Sequence, residues 1–254
     1  MKISIITVTY NCKSVLIDCL NSVASQTYEN IDHIVIDGAS TDGTLSVLNS
    51  ISHNLTAMIS EPDDGIYDAM NKGIEHAKGD IIGFLNSDDF YANNDVISKV
   101  INIFKKQPHL DACYADLIYV NQENSSKIVR YFKSSKFKKG LFSKGWCPPH
   151  PTFFVRRSVY ERFGKFDLNY RIASDVELMM RFLEVNKIKT YYIPEVWVNM
   201  RMGGITNKNF KNICLQNKEI INAFYKNSLP FNLINFFLCK IFSRIMQFFK
   251  RPLK

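Results

Sequence analysis

Ile81-Ile82-Gly83-Phe84-Leu85-Asn86-Ser87-Asp88-Asp89 is an apolar run that stops abruptly at two adjacent carboxylates. Unbroken apolar strands belong to parallel sheets covered on both faces, and in open α/β sheets ligands bind beyond the carboxyl ends of the strands. Asp88 and Asp89 therefore fall where a ligand sits. An acidic pair there is a hard-oxygen site suited to Mg²⁺ or Mn²⁺, ions that keep several waters and take further ligands from substrate phosphates. The competing reading is an Asp-rich turn that caps the next helix.

The segments before this run repeat its logic. Residues 3–9 are apolar and β-branched and read as a buried strand, closed by the turn Thr9-Tyr10-Asn11. Ser14 is placed to cap a helix through Val15, Leu16, Cys19, Leu20, Val23 and Ala24. A second strand, residues 31–36, opens into Asp37-Gly38-Ala39-Ser40-Thr41-Asp42-Gly43 before a helix of Leu45, Val47, Leu48 and Ile51. A short third strand, residues 56–60, opens into Glu61-Pro62-Asp63-Asp64-Gly65, and a helix over 66–78 carries Tyr67, Asp68, Asn71 and Lys72 up to Gly79. After the acidic pair, Asn94 begins another helix that ends before Pro108. Alternating strands and helices imply a parallel sheet with right-handed crossovers, so the polar loops share one edge and Asp37, Asp63 or Asp64, and Asp88 converge there.

From Ala112 the pattern predicts antiparallel strands, residues 113–120 and 127–133, joined by Asn121-Gln122-Glu123-Asn124-Ser125. A basic, loop-like segment over 136–149 ends near Trp146. Residues 150–155 read as a strand and 157–163 as a helix closed by Gly164. Ser174-Asp175-Val176-Glu177 has the form of a capping box, with Asp175 on the first turn of its helix. The tail, about residues 230–251, sets Lys240, Arg244, Gln247 and Arg251 on one helical face and Ile234, Leu238, Ile241, Phe242, Ile245 and Phe249 on the other. A helix packed on the core is one reading of it; a basic, Phe-rich helix lying at an anionic membrane surface is the one preferred here.

The 254 residues, 46% hydrophobic and 22% charged, supply a sizeable core. Cys12, Cys19, Cys113, Cys147, Cys214 and Cys239 are scattered without a C-x-x-C or Cys/His pairing, which points to reduced thiols and away from a zinc site or a disulfide framework. No signal-type apolar region opens the chain and no apolar stretch is long enough to span a bilayer, so the expectation is a cytoplasmic protein, peripheral on the inner face of the membrane. The net charge of +8 gathers late in the chain and calls for an anionic partner such as lipid or a phosphorylated small molecule.

Thr7-Val8-Thr9-Tyr10-Asn11, Val35-Ile36-Asp37-Gly38-Ala39-Ser40-Thr41-Asp42-Gly43-Thr44, Asp68-Ala69-Met70-Asn71-Lys72-Gly73-Ile74 and Leu85-Asn86-Ser87-Asp88-Asp89 follow one another in an order that resembles the inverting nucleotide-sugar glycosyltransferases of family two. His150-Pro151-Thr152-Phe153-Phe154, Ala173-Ser174-Asp175-Val176-Glu177-Leu178 and Arg201-Met202-Gly203-Gly204-Ile205 extend the resemblance over roughly residues 1 to 207. It implies the GT-A fold: a Rossmann-like, mostly parallel central sheet with flanking helices, a smaller antiparallel acceptor-side portion and a C-terminal amphipathic helix. The expected division is 1–110 for the nucleotide sugar, 111–207 for the acceptor and the catalytic base within the same domain, and 208–254 for a membrane-associating tail.

The resemblance also implies roles. Asp37 accepts a hydrogen bond from the uracil of a UDP-sugar, flanked by Thr9, Tyr10 and Asn11; Asp64, Asn71, Lys72, Asn86 and Ser87 line the rest of the donor pocket. Asp88, assisted by Asp89, holds Mn²⁺ or Mg²⁺ against the diphosphate; the family's Asp-x-Asp here begins with Asn86, which offers a carbonyl oxygen without charge. Asp175 is the base that takes the acceptor's proton. Trp146, His150, Ser174, Gly203 and Gly204 border a lipid-linked saccharide acceptor of surface polysaccharide such as O-antigen or capsule.

Other classes fit less well. A nucleotidyltransferase calls for a Gly-rich basic phosphate loop after the first strand, where this chain has Tyr10-Asn11-Cys12-Lys13-Ser14. No G-x-G-x-x-G follows a strand, which removes a dinucleotide oxidoreductase. The basic stretch 127–144 with Phe132, Phe137 and Phe142 matches no nucleic-acid module, and nucleic acid is not an expected partner.

Overall fold

The computed structural model describes residues 1–51, 55–203 and 210–249. Strands β1 (Ile3–Thr9), β2 (Ile31–Asp37), β3 (Ala57–Ser60) and β4 (Ile81–Phe84) run parallel in the order β3-β2-β1-β4. β1 and β4 are buried along their whole length, the burial their unbroken apolar sequences require. Helices α1 (Leu16–Ala24), α2 (Thr44–Ser50) and α3 (Ile66–His76) make the crossovers. α3 lies so close on the sheet that a Cβ at Gly73 would stand 2.3 Å from Ile6 Cγ2. Glycine there brings Tyr67 and Asn71 down to the sheet edge.

β4 pairs antiparallel with β8 (Phe154–Arg156), which pairs antiparallel with β6 (Ala112–Val120); β7 (Ile128–Phe132) lies antiparallel on β6. The expected antiparallel second half is mixed, because the longest pairing, β6 with β9 (Thr190–Arg201), is parallel. The chain between them passes through α5 (Arg157–Phe163) and α6 (Ser174–Met180), and returns in the same direction. β5 (Asp89–Tyr91) crosses to the far edge and pairs antiparallel with β9, Asp89 opposite Met200. The acidic pair therefore stands where the chain leaves β4, and the end of β9 comes to it.

Several local expectations differ. Val15, not Ser14, precedes α1, whose first amides bond to the Cys12 carbonyl. α3 stops at His76, short of Gly79, and α4 (Val96–Lys106) begins after Asp95, with Gln26 Oε1 accepting from the Ile97 amide. Residues 150–152 form a 3₁₀ turn rather than a strand. The capping box does not form: α6 starts after Ala173 with no side-chain cap from Ser174, and Glu177 is fully buried against Arg181. Past Met180 the helix widens into a π turn, Arg181–Val185.

Two helices close the described chain, α7 (Phe210–Lys226) and α8 (Leu233–Phe249). α8 seats Phe236 against Phe224 and Phe231, while Ile234, Leu238, Ile241, Phe242, Ile245 and Phe249 remain exposed. Among the described residues no helix is long and apolar enough to cross a membrane.

Candidate active site

The carboxyl ends of β1 to β4 form one polar rim. At the end of β1, Thr9 is buried with its hydroxyl unpartnered, and Tyr10 projects 63% exposed. Asn11 takes a left-handed conformation (φ 50°), which Asn tolerates better than most residues. Its amide donates to Ser40 Oγ at 2.8 Å and its Oδ1 accepts from the Thr41 amide at 2.9 Å, stitching the β1 loop to the β2 loop. Asp37, expected on a uracil ring, is 0% exposed; its carboxylate accepts from the Ser40 amide, Ser40 Oγ and Ser60 Oγ. It shapes the loop, because those internal donors occupy it.

Of the two acids after β3, Asp64 is exposed, and Asp63 turns inward: its Oδ2 would lie 2.5 Å from a Cβ built on Gly38, a position also flanked by Tyr10. A missing side chain at Gly38 thus leaves room for Asp63 beside Tyr10, which the sequence alone left undecided. Lys72 pairs with Glu61 (2.8 Å) and Asp68 (3.4 Å) and donates to the Pro62 carbonyl, bracing this loop. Asn71 spends both ends of its amide on the Phe166 backbone, at 2.9 and 3.0 Å, so it ties α3 to the segment before α6 instead of facing a nucleotide.

Beyond β4, Asn86 and Asp88 are half-buried while Ser87 and Asp89 are buried. The Oδ1 of Asn86 is buried without a hydrogen-bond partner, and the buried Asp89 carboxylate has only the Arg201 backbone amide and the Asn86 side chain beside it, neither at good hydrogen-bond geometry. Burial, then the charge of Asp88, pushes the Asp89 carboxyl well above its ordinary value, and burial raises Asp88 as well. Arg201 stands beside them: it donates to the Asp88 carbonyl at 3.0 Å, pairs with Asp18 of α1 and lies over the Phe90 ring. Buried, under-bonded carboxylate and amide oxygens next to each other are a donor set that fits a divalent cation. Among the described residues no group of three or more His, Cys, Asp or Glu is placed to hold a metal ion by itself.

Asp175 reaches this rim from the second half of the chain. Its Oδ1 is 2.9 Å from the Tyr67 hydroxyl of α3, which also lies 2.8 Å from the Ile172 carbonyl. Burial and the Asp175 charge hold Tyr67 well above the usual phenol range, so it remains a donor. His150 stacks on Phe84 of β4, with ring centroids 5.4 Å apart, and lies close enough to Asp175 to feel its charge. Burial outweighs that charge and lowers the His150 pKa, leaving a neutral imidazole whose Nε2 is buried without a partner. Trp146 packs among Tyr114, Phe137 and Phe142. Ser174, expected at an acceptor, is fully buried and donates to the Asp167 carbonyl; its hydroxyl is used in packing. Gly203 is an exposed turn after β9, and Gly204 lies outside the described residues.

The segment that presents Asp175 is held by a residue with no local sequence signal. Glu219 of α7, buried, accepts from the amides of Arg171, Ile172 and Ala173, each at 2.9 Å. From 46 residues away it holds the backbone that leads into α6, ending at Ala173, the residue just before the helix. Replacing Glu219 by Ala strands those amides and is expected to cost about 3 kcal/mol or more of stability. Thermal melting checks this, and an unchanged melting temperature would contradict it.

A family model described as glycosyl transferase family 2 matches residues 4–164. The chain belongs to that family. It is a glycosyltransferase with the GT-A fold, as the order of its motifs leads one to expect. It is 31% identical over 208 residues to a PGL/p-HBAD biosynthesis glycosyltransferase of Mycobacterium bovis, covering 80% of this chain and 78% of the relative. It is 28% identical over 219 residues to the chondroitin synthase of Pasteurella multocida, covering 85% of this chain and 22% of that longer protein. Solved structures share the fold: S. aureus TarS 1–349 in complex with UDP-GlcNAc has a TM-score of 0.67 at 17% identity, covering 96% of this chain and 82% of that one. The mannosyltransferase PcManGT from Pyrobaculum calidifontis, in complex with GDP-Man and Mn²⁺, has a TM-score of 0.67 at 17% identity, covering 95% and 68%. The chain spans 40% of the longer TarS structure.

Proposed function

We propose that this glycosyltransferase moves a sugar from a UDP-sugar to a lipid-linked saccharide by a single inverting displacement, in the assembly of a bacterial surface polysaccharide at the cytoplasmic face of the membrane. The reading rests on one observation: Asp175, bonded to Tyr67 and neighboured by His150 and Phe84, stands at the same carboxyl edge of the sheet as Asp88 and Asp89. Support for the donor comes from TarS, whose complexes hold UDP and UDP-GlcNAc. The biosynthetic name of the mycobacterial relative favours an acceptor in cell-surface glycolipid or glycan.

In this reading the base of the nucleotide rests on Tyr10 with Asp63 at its edge, and the loop pinned by Asp37, Ser40 and Asn11 sets its position. Asp88, with Asp89 and Asn86, would hold Mn²⁺ or Mg²⁺ and Arg201 braces the turn that carries them. When bound, the ion neutralises the diphosphate charge that grows as the leaving group departs. The acceptor hydroxyl attacks the anomeric carbon from the face opposite the diphosphate; the C–O bond to UDP breaks with its electron pair on UDP, and the proton goes to Asp175. Tyr67 fixes one carboxylate oxygen and leaves the other free for that proton. His150, neutral, keeps a buried Nε2 with no partner in the protein, next to the Asp175 charge.

A screen of UDP- and GDP-sugars with Mn²⁺, read as hydrolysis or transfer, tests the donor. Turnover confined to UDP-sugars is expected; turnover with GDP-sugars alone, or with none, contradicts the reading.

A further inference from the structure

Helix α8 faces the opposite way from an amphipathic helix in water. Its apolar residues stand outward, Ile234 at 73% and Phe242 at 67% exposure, while Lys240, Arg244 and Gln247 turn toward the protein. Lys240 packs against Gly145 and donates from Nζ to Asn217 Oδ1 of α7 at 2.7 Å. Arg244, one turn on, lies close enough to Arg130 of β7 for the two charges to repel. Arg130 is only 7% exposed, stacks over the Tyr119 ring at 3.8 Å, and has an Nε donor with no hydrogen-bond partner. Gln247, also buried, has an unpartnered Oε1.

Among the described residues no carboxylate lies within ion-pairing distance of Arg130, Lys240 or Arg244. None of the remaining residues of the chain carries an acidic side chain. Burial and the charge of Arg244 lower Lys240 to about 8, and burial with the charge of Arg130 lowers Arg244. Partly buried cations that crowd each other without a counter-charge are costly unless an anion joins them. Arg and Lys together suit the oxygens of a phosphate.

We propose that Arg130, Lys240 and Arg244 bind the phosphate of a membrane lipid, with the exposed face of α8 in the apolar layer. The same helix that supplies two of the cations offers the apolar surface, which favours a lipid over a soluble phosphate. A groove of about 480 Å³ between α7 and α8, lined by Phe210, Ile213, Cys214, Ile221 and Phe237, reaches Asn217, the partner of Lys240, and offers room for a lipid chain. Cys147 feels the charges of both Asp175 and Lys240, and Tyr119 those of Asp89, Arg130 and Arg244. A lipid held there by its phosphate would deliver its saccharide toward Asp175. That last role rests on the proposed function; the lipid binding does not.

The test is co-sedimentation of the full chain with phosphatidylcholine vesicles, with and without phosphatidic acid, in the absence of any sugar donor. Preference for the phosphatidic acid vesicles is expected. Lys240→Gln with Arg244→Gln should weaken it roughly twentyfold, whereas Lys105→Gln with Lys106→Gln, the same charge removed from α4, should change it less than about twofold. Phe242→Ser, on the exposed face, should weaken binding to both vesicle types without altering thermal melting. Arg244→Gln alone serves if the double variant does not fold. Equal losses in the two double variants, or stabilisation by inorganic phosphate with no vesicle binding, would overturn the proposal. UDP binding measured in parallel reports on the donor site separately, so failure here leaves that reading standing or falling on its own.

Discussion

Asp175→Asn is expected to lower sugar transfer by about 10²- to 10⁴-fold, the range for loss of a positioned general base, while UDP-sugar affinity stays within about twofold of wild type. The substitution keeps the shape of the side chain, and the Asn carbonyl still accepts from Tyr67, so the segment before α6 keeps its place. What disappears is the free oxygen that takes the acceptor's proton. His150 is a poor substitute, since its ring stands on Phe84 and Phe166, set by the wall of the cleft and not by the acceptor. Initial rates with acceptor, alongside calorimetric UDP binding, check the prediction. Near-normal turnover would put the base elsewhere.

Asp88→Ala is expected to cost about 10²-fold or more in rate and to abolish the difference in UDP affinity between Mn²⁺ and EDTA buffers, as loss of an ion that stabilises the leaving group demands. Asp89 does not replace Asp88, because it is fully buried at the start of β5 and held in register with Met200. The binding readout is independent of turnover and separates loss of the ion from general damage. An EDTA-treated wild type that retains full activity would contradict the metal reading.

The first half of the fold was legible because β1 and β4 are buried on both faces and announce themselves as apolar runs, and the strands end in loops of Gly, Ser, Asn and Asp. The acidic turn after β4 was read from the same pattern. The second half was less legible because its geometry is set by contacts far apart in sequence. β9 pairs parallel with β6 across a long excursion, and the segment leading into α6 is held by Glu219, which no window around Ser174 reveals. Glu219, which the sequence did not single out, and Tyr67, Asp63 and Arg201, which it named without a specific partner, share this trait: each acts on a partner from another part of the chain. Asp37 and Asn71 illustrate the converse. Their residue types match a binding role, yet the available space and donors bind them to Ser40, Ser60 and Phe166. For α8 the two faces were read correctly, but which face meets the protein depends on Arg130 and Asn217, which the helical periodicity does not contain.

The most direct measurement is a crystal structure of the Asp175→Asn protein with an intact UDP-sugar and Mn²⁺. The diphosphate is predicted to lie against Asn86, Asp88 and Asp89, the nucleobase against Tyr10, and the anomeric carbon to face residue 175 across a gap open to an acceptor hydroxyl. A nucleotide bound away from Asp88, or a sugar whose reacting carbon points away from residue 175, would contradict the single cleft on which the proposed reaction depends.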